Sequence, residues 1–134
     1  MVDTISTERR SWNMGRIKGR DTKPEILVRS LLHKKGYRFR LHQKNLPGRP
    51  DIVLRKYRTV IFVNGCFWHR HENCSDATLP KSKTEFWLNK FDQTVKRDKS
   101  NRDELLSLGW KVLTVWECEV SDGLRLLNII TRVL

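Results

Sequence analysis

The stretch Cys66-Phe67-Trp68-His69-Arg70-His71-Glu72-Asn73-Cys74, read together with Cys118, constrains the fold of this chain more than any other feature. Two cysteines and two histidines in one short segment supply soft sulfur and imidazole ligands at a density that points to a transition metal, most often zinc. Cys66, His71 and Cys74 are spaced C-x4-H-x2-C, and Cys118 follows Lys111–Trp116, which reads as a strand. A Cys₃His set closes a tetrahedral site of the structural kind. Any fold that satisfies it must bring this loop against the end of a strand far along the chain. His69 competes with His71 for the same place, as C-x2-H-x4-C, and spacing leaves both open. In the plainer reading the cysteines are core residues and the histidines lie on the surface. Three cysteines are an odd number for a disulfide framework, which favours a reducing, cytoplasmic setting with thiols free for metal.

Phe67 and Trp68 need another explanation, because aromatics do not ligate metals. Adjacent in a polar loop, they cannot both point inward. The charge of the chain suggests what they meet. The sequence has 27 Lys/Arg against 15 Asp/Glu, a net +12, and residues 1–49 hold 13 of those cations against 4 acids. A concentration of this kind implies a polyanion, nucleic acid before anionic membrane. No apolar run approaches the roughly 20 residues needed to span a bilayer. Met1–Arg10 lacks the apolar core of a secretory signal. With 134 residues, 38% hydrophobic and 31% charged, the chain reads as one soluble domain, 21–134, preceded by a basic arm, 1–20. In that arm Arg9, Arg10, Arg16, Lys18 and Arg20 are expected on phosphates, with Trp12 and Met14 as isolated apolar residues.

The element pattern is α/β. Thr22-Lys23-Pro24-Glu25 has the form of a capping box with proline in the first turn. Ile26, Leu27, Leu31 and Leu32 follow at helical spacing, and Lys34-Lys35-Gly36 stops the helix. Tyr37–Leu41, Asp51–Leu54 and Thr59–Val63 read as strands, the last two joined by the basic turn Arg55–Arg58. Ser82-Lys83-Thr84-Glu85 resembles a second capping box, opening a helix to about Leu108 with a break near Lys99–Asn101. In it Phe86, Trp87, Leu88 and Phe91 are expected in the core, as are Trp110 and Trp116. Lys111–Trp116 is a further strand and Leu124–Val133 a terminal helix. Helices flanking a mixed sheet make an α/β sandwich.

Asp51 stands where a loop, Asn45–Pro50, enters a strand, and such ends are where sites are built. A lone strand-end aspartate is ordinarily just solvated, and Glu25 is fully explained as the third residue of its capping box. Only if Glu25 and Asp51 meet in space do they offer the hard oxygen ligands that suit Mg²⁺ and phosphodiester cleavage.

Taken in order, several segments resemble the very short patch repair (Vsr) mismatch endonucleases. They are Arg10-Ser11-x-Asn13-Met14, Arg20-Asp21-Thr22, Leu46-Pro47-Gly48-Arg49-Pro50-Asp51 and Ile61-Phe62-x-x-Gly65-Cys66-Phe67-Trp68-His69. Further on come Thr84-Glu85-Phe86-Trp87-Leu88, Arg97-Asp98, Leu108-Gly109-Trp110 and Val115-Trp116-Glu117-Cys118. The resemblance covers almost the whole chain. It implies a restriction-endonuclease-like mixed sheet with a structural zinc, and a Mg²⁺-dependent nick 5′ of the thymine in a T:G mismatch left by deaminated 5-methylcytosine. Carried over by position, Asp51 is the central Mg²⁺ ligand with the Val63 carbonyl, Glu25 holds metal-bound water, and His69 assists proton transfer. Cys66, His71, Cys74 and Cys118 hold Zn²⁺, while Met14, Phe67 and Trp68 wedge into the duplex beside the mismatch.

The chain departs from the family at Val63-Asn64, where Thr-His is common. A backbone carbonyl serves as ligand whatever the side chain at 63, whereas Asn64 removes a titratable group. The metal loop is one residue longer, at Glu72-Asn73. The Glu-x-Lys half of the wider nuclease pattern is absent after Asp51, as the resemblance implies. Expected partners are mismatched double-stranded DNA and repair proteins, with no membrane, and a monomer suits an asymmetric nick. The alternatives are a nuclease of different specificity and a catalytically silent zinc-stabilised DNA-binding module.

Overall fold

Three helices and a four-stranded mixed sheet account for the architecture in the computed structural model, which describes residues 22–120 and 123–134. The expected arm, with Arg10, Met14, Arg16 and Arg20, lies outside the described residues. Helix α1 spans Lys23–Lys34, strand β1 Arg40–Leu41, β2 Ile52–Leu54 and β3 Thr59–Asn64. Helix α2 spans Thr84–Ser107, strand β4 Lys111–Trp116 and helix α3 Gly123–Val133. The sheet order is β1-β2-β3-β4. Pairings are antiparallel up to β3 and parallel between β3 and β4. A parallel pair needs a long crossover, and α2 supplies it.

Alternation along the strands sends side chains to two cores. Ile52, Leu54, Ile61 and Val115 pack with Val28 and Leu32 of α1 and with Leu126 and Ile130 of α3. Val53 and Val60 face the other way, onto Leu105 of α2, with Phe62 and Val112 beside them. The sheet is thus covered on both faces. Among the described residues no helix is long and apolar enough to cross a membrane.

Several sequence expectations change in ways that matter for the site. The buried stripe of α1 is Glu25, Val28 and Leu32, whereas Ile26 and Leu27 are 48% and 44% exposed. The helix is therefore turned so that an acid, not an isoleucine, heads its inner face. Tyr37–Leu41 pairs only at Arg40 and Leu41, and Tyr37 and Phe39 pack against the larger core instead. The second capping box does not form. Lys83 holds the N-cap position in a left-handed conformation, φ 53°, with no side-chain cap, so Ser82 falls one residue too early. The helix it opens runs unbroken through Lys99–Asn101. It buries only Phe91 and Leu105, and Phe86 and Leu88 are more than half exposed rather than core. Trp110 and Trp116 are half-buried. Arg58, at φ 49°, closes the β2–β3 turn after a 3-10 turn at Arg55–Tyr57. Its guanidinium lies 4.6 Å from the centre of the Trp110 ring.

Gly48, φ +75°, brings the turn before β2 against α2. A Cβ there would lie 3.0 Å from the Asn101 side chain, so glycine allows both the backbone angle and the approach. That contact sets Asp51 opposite the wet face of α2.

Candidate active site

Beyond the last β2–β3 pair, Ile52 with Ile61, the Val63 N–H is accepted by the Asp51 carboxylate, at 2.7 Å, instead of by a strand carbonyl. Burial pushes the Asp51 carboxyl up to about 7. The Val63 hydrogen bond works against the shift, and the negative charge of Glu25 adds to it.

Glu25 is where the cap of α1 matters. Its N–H donates to Thr22 Oγ1 at 3.4 Å, so the first half of the capping box is present. Its carboxylate goes elsewhere: it is almost fully buried, accepts from Arg29 Nη2 at 2.9 Å and lies 3.4 Å from His42 Nε2. His42, at φ 47°, sits between the two acids, with Nδ1 3.8 Å from Asp51 Oδ1. Its backbone N–H donates to the Asp51 carbonyl at 3.2 Å. Ligand atoms of Glu25, His42 and Asp51 all lie within 4.8 Å of one another. The condition set by the sequence, that Glu25 and Asp51 meet, is met. Two hard carboxylates fit a divalent cation, and its charge would offset the burial that disfavours the ionised Asp51.

Glu25 and Asp51 open into a cleft of about 1130 Å³ between the end of β3 and the exposed face of α2. Asn64, Trp68 and His69 line it from the strand end and loop, and Arg97, Asp98 and Arg102 from the helix. His69 Nδ1 lies 2.6 Å from Asp98 Oδ2. A carboxylate there favours a proton on Nδ1.

His71, not His69, joins the cysteines. His71 Nδ1 lies 3.7 Å from Cys66 Sγ and 3.4 Å from Cys118 Sγ, and with Cys74 the four ligand atoms fall within 4.8 Å. A tetrahedral metal with N/S bonds of ~2.0–2.3 Å spaces its ligands about 3.5–3.8 Å apart, so the donor set and the geometry both fit. None of the three cysteines forms a disulfide. Burial, with hydrogen bonds from the neighbouring thiols, pushes Cys66 up to about 12 in the metal-free chain. The His71 ring stacks on Trp116, with centroids 4.3 Å apart and planes 10° off parallel. Asn73 in the longer part of the loop takes φ 56°, a conformation asparagine tolerates.

Phe67 and Trp68 are half-buried and meet edge to face, 5.1 Å apart. Phe67 also contacts Trp87 and Phe91 of α2, and Trp68 contacts Trp87 while lining the cleft. Arg70 braces this loop. It donates to the carbonyls of Phe67, Ala77 and Thr78, and its guanidinium lies 4.0 Å from the Phe91 ring centre.

Sequence reasoning did not single out His42, Arg29, Asp98 as the partner of His69, or Arg70 as a brace. Arg29 was within reach as an i,i+4 partner of Glu25 on a helix. His42 depends on a positive φ that its residue type does not announce.

A family model described as DNA mismatch endonuclease Vsr matches residues 2–75. The chain is 49% identical over 122 residues to the Type II nicking enzyme V.XorIIP of Xanthomonas oryzae pv. oryzae, covering 91% of this chain and 89% of that protein. It is 48% identical over 118 residues to the DNA mismatch endonuclease Vsr of Escherichia coli, covering 88% of this chain and 75% of that one. It is 32% identical over 120 residues to the Type II nicking enzyme V.HpaIIP of Haemophilus parainfluenzae, covering 89% and 85%. With the match spanning both ligand clusters and the cleft, this chain belongs to the Vsr family of DNA mismatch endonucleases.

Proposed function

We propose that this protein nicks one strand of duplex DNA 5′ of the thymine in a T:G mismatch, using Mg²⁺, and so begins very short patch repair of deaminated 5-methylcytosine. The observation that carries this reading is the meeting of Asp51, Glu25 and His42 at the head of a cleft that His69 also lines. Sheet order and helices on both faces support a restriction-endonuclease-like fold for residues 21–134, with 1–20 as a basic DNA-binding arm.

Asp51 would hold Mg²⁺ together with the Val63 carbonyl. In an extended strand the N–H and C=O of one residue point to the same side, and the Val63 N–H points at Asp51. Bound there, Mg²⁺ supplies Lewis-acid stabilisation of the phosphate and a more acidic water. Glu25, held by Arg29, would accept a hydrogen bond from the attacking water and so orient it. His69 moves a proton through Nε2 at the scissile phosphate while Asp98 keeps its other nitrogen protonated. The products carry a 5′-phosphate and a 3′-hydroxyl.

Cys66, His71, Cys74 and Cys118 would hold Zn²⁺ and fix the loop that carries Phe67, Trp68 and His69. Phe67 and Trp68, with Met14 from the arm, would wedge beside the mismatch, where unstacking costs less than at a paired step. Arg10, Arg16 and Arg20 would follow the phosphates. The protein acts as a cytoplasmic monomer, with repair proteins as further partners.

The test is a nicking assay with Mg²⁺ on duplexes that differ only in T:G, T:A or C:G at one position, repeated in several flanking sequences. Nicking of T:G alone is expected. Nicking of paired duplexes would favour a nuclease of other specificity, a reading supported by the relatives that carry Type II nicking-enzyme names and by Val63-Asn64. No nicking at all would leave a DNA-binding module.

A further inference from the structure

Residues 33–58 hold nine Lys/Arg and a single acid, Asp51, which is turned into the cleft. Part of this charge gathers away from the cleft. Arg38, Arg40, Arg55 and Lys56, all exposed, line a second pocket of about 550 Å³ whose described lining contains no carboxylate. Tyr37 and Tyr57 meet edge to face in its wall, 5.5 Å apart.

The strand register relates this pocket to the cleft. Val53 lines it and packs on Leu105 of α2. Asp51 lies two residues before Val53, so alternation puts both on the α2 side of the sheet. Arg40 is paired with Val53 and shares that face. The four steps from Asp51 to Arg55 span about 13 Å at ~3.3 Å per residue. Along a duplex that is roughly four base pairs at ~3.4 Å each. Tyr37, Phe39 and Tyr57 in its wall pack toward the other core, so the pocket lies at the β1–β2 end of the sheet, within reach of a DNA backbone seated at Asp51.

We propose that Arg38, Arg40, Arg55 and Lys56 form a phosphate-binding pocket that takes the DNA backbone a few base pairs from the nicked position. The proposal rests on DNA being the substrate, but not on which mismatch is nicked. The ligand chemistry is a phosphate oxygen cluster, whose source is either duplex DNA or free phosphate.

The test compares the wild-type chain with the variant carrying Arg38→Gln, Arg40→Gln, Arg55→Gln and Lys56→Gln. Affinity for a long T:G duplex is measured without Mg²⁺ by fluorescence anisotropy across a salt series. Each lost phosphate contact lowers the slope of log affinity against log salt by about 0.9, so a decrease of about 2–4 is expected. On a short duplex that ends before the pocket, the two proteins should bind alike. With Mg²⁺ and saturating DNA, kcat should be unchanged while KM rises. A variant with Arg38, Arg40 and Arg55 changed to Lys should keep the wild-type slope, which separates charge from folding. Should the fourfold variant not fold, Arg55→Gln with Lys56→Gln alone must lower the slope by about 1–2. An unchanged slope on the long duplex overturns the proposal. So does thermal stabilisation of the wild type alone by inorganic phosphate with an unchanged DNA slope, which would mark a free-phosphate pocket. If the wild type nicks no duplex, the proposed nicking function fails, yet the salt slopes still decide the pocket.

Discussion

The cluster of Glu25, His42 and Asp51 and the cluster of Cys66, His71, Cys74 and Cys118 both gather their ligand atoms within 4.8 Å, and β3 with the loop after it serves both. They differ in what surrounds those atoms. The first offers two hard carboxylates held by Arg29 and by the Val63 N–H, and it opens into the cleft. The second offers three sulfurs and an imidazole nitrogen at tetrahedral spacing, with His71 backed by the Trp116 ring. Four donors close a tetrahedron and leave no position for a substrate, whereas two carboxylates leave most of a cation's coordination free. The difference predicts opposite trade-offs. Removing a ligand at the open cluster should abolish chemistry and relieve the fold. Removing one at the closed cluster should weaken the fold and affect chemistry only through it.

Asp51→Asn tests the open side and has the largest expected effect. Nicking should fall by roughly 10³–10⁴-fold at saturating DNA, because a neutral amide holds a divalent cation much less tightly than a carboxylate. Stability should move the other way. The folded carboxyl titrates near 7 against a usual value of 3.8, so between those pH values the folded chain keeps a proton that the unfolded chain has released. The contribution of this group to stability therefore falls as pH rises through that window and is fully unfavourable above about pH 7. Asn removes the penalty, on the order of 2–4 kcal/mol at alkaline pH in the absence of metal. Denaturant unfolding from pH 4 to 8 should show the wild type losing ground to the variant as pH rises. A variant less stable than wild type at pH 8 would break the comparison.

The closed side is tested by Cys118→Ala and by chelation. One metal per chain should be found by elemental analysis and lost in the variant. Stability should drop by several kcal/mol, less than the roughly 10–16 kcal/mol of zinc-finger peptides, because two hydrophobic cores add stability that such peptides lack. Nicking by the fraction that remains folded should persist. A fully stable, fully active metal-free protein would remove the structural role.

The sequence made one of these clusters much easier to read than the other. Metal-ligand spacing within the loop from Cys66 to Cys74 limits the set to a few choices, since soft ligands seldom crowd together for other reasons. His69 and His71 were equivalent by spacing alone; the fold separates them by turning His69 toward Asp98 on α2. The carboxylate cluster was legible only as a condition. Glu25 had a complete local explanation as a helix cap, and nothing near it in sequence says that α1 rotates to bury it. The strand Thr59–Val63 was clear because continuous apolar β-branched residues suit a sheet covered on both faces. The start of α2 was misread because a left-handed Lys83 shifts the cap by one residue, and local propensity does not foresee that. Phe86 and Leu88 differ from expectation because α2 buries only Phe91 and Leu105, so the apolar residues of its first turns do not all reach a core.

His69 links the two sides, since its loop carries three members of the sulfur cluster and its ring lines the cleft. His69→Ala should lower nicking by about 10²–10³-fold, as expected for loss of a positioned acid or base. Asp98→Asn should cost less, roughly 10–100-fold, the worth of one hydrogen bond to a charged partner. Metal content and unfolding midpoint should stay unchanged in both. If His69→Ala also released the metal of the sulfur cluster, the separation of His69 from His71 would be wrong.

Gly48→Ala carries the smallest effect and tests how the open cluster is set against α2. The residue has φ +75°, and an added Cβ would meet the Asn101 side chain at 3.0 Å. A left-handed alanine costs about 1–2 kcal/mol, and the contact requires Asn101 to give way. The expected loss is therefore about 1–3 kcal/mol in denaturant unfolding. Asn101→Gly alone should cost roughly 0.3–0.5 kcal/mol, the difference between asparagine and glycine inside a helix. The double variant should lose less than the sum of the two, because the clash is then gone and only the backbone terms remain. Strict additivity would mean that the turn before Asp51 does not bear on α2. If Gly48→Ala lowers kcat at saturating DNA while the double variant recovers part of it, the turn also sets the distance between Asp51 and the His69–Asp98 pair.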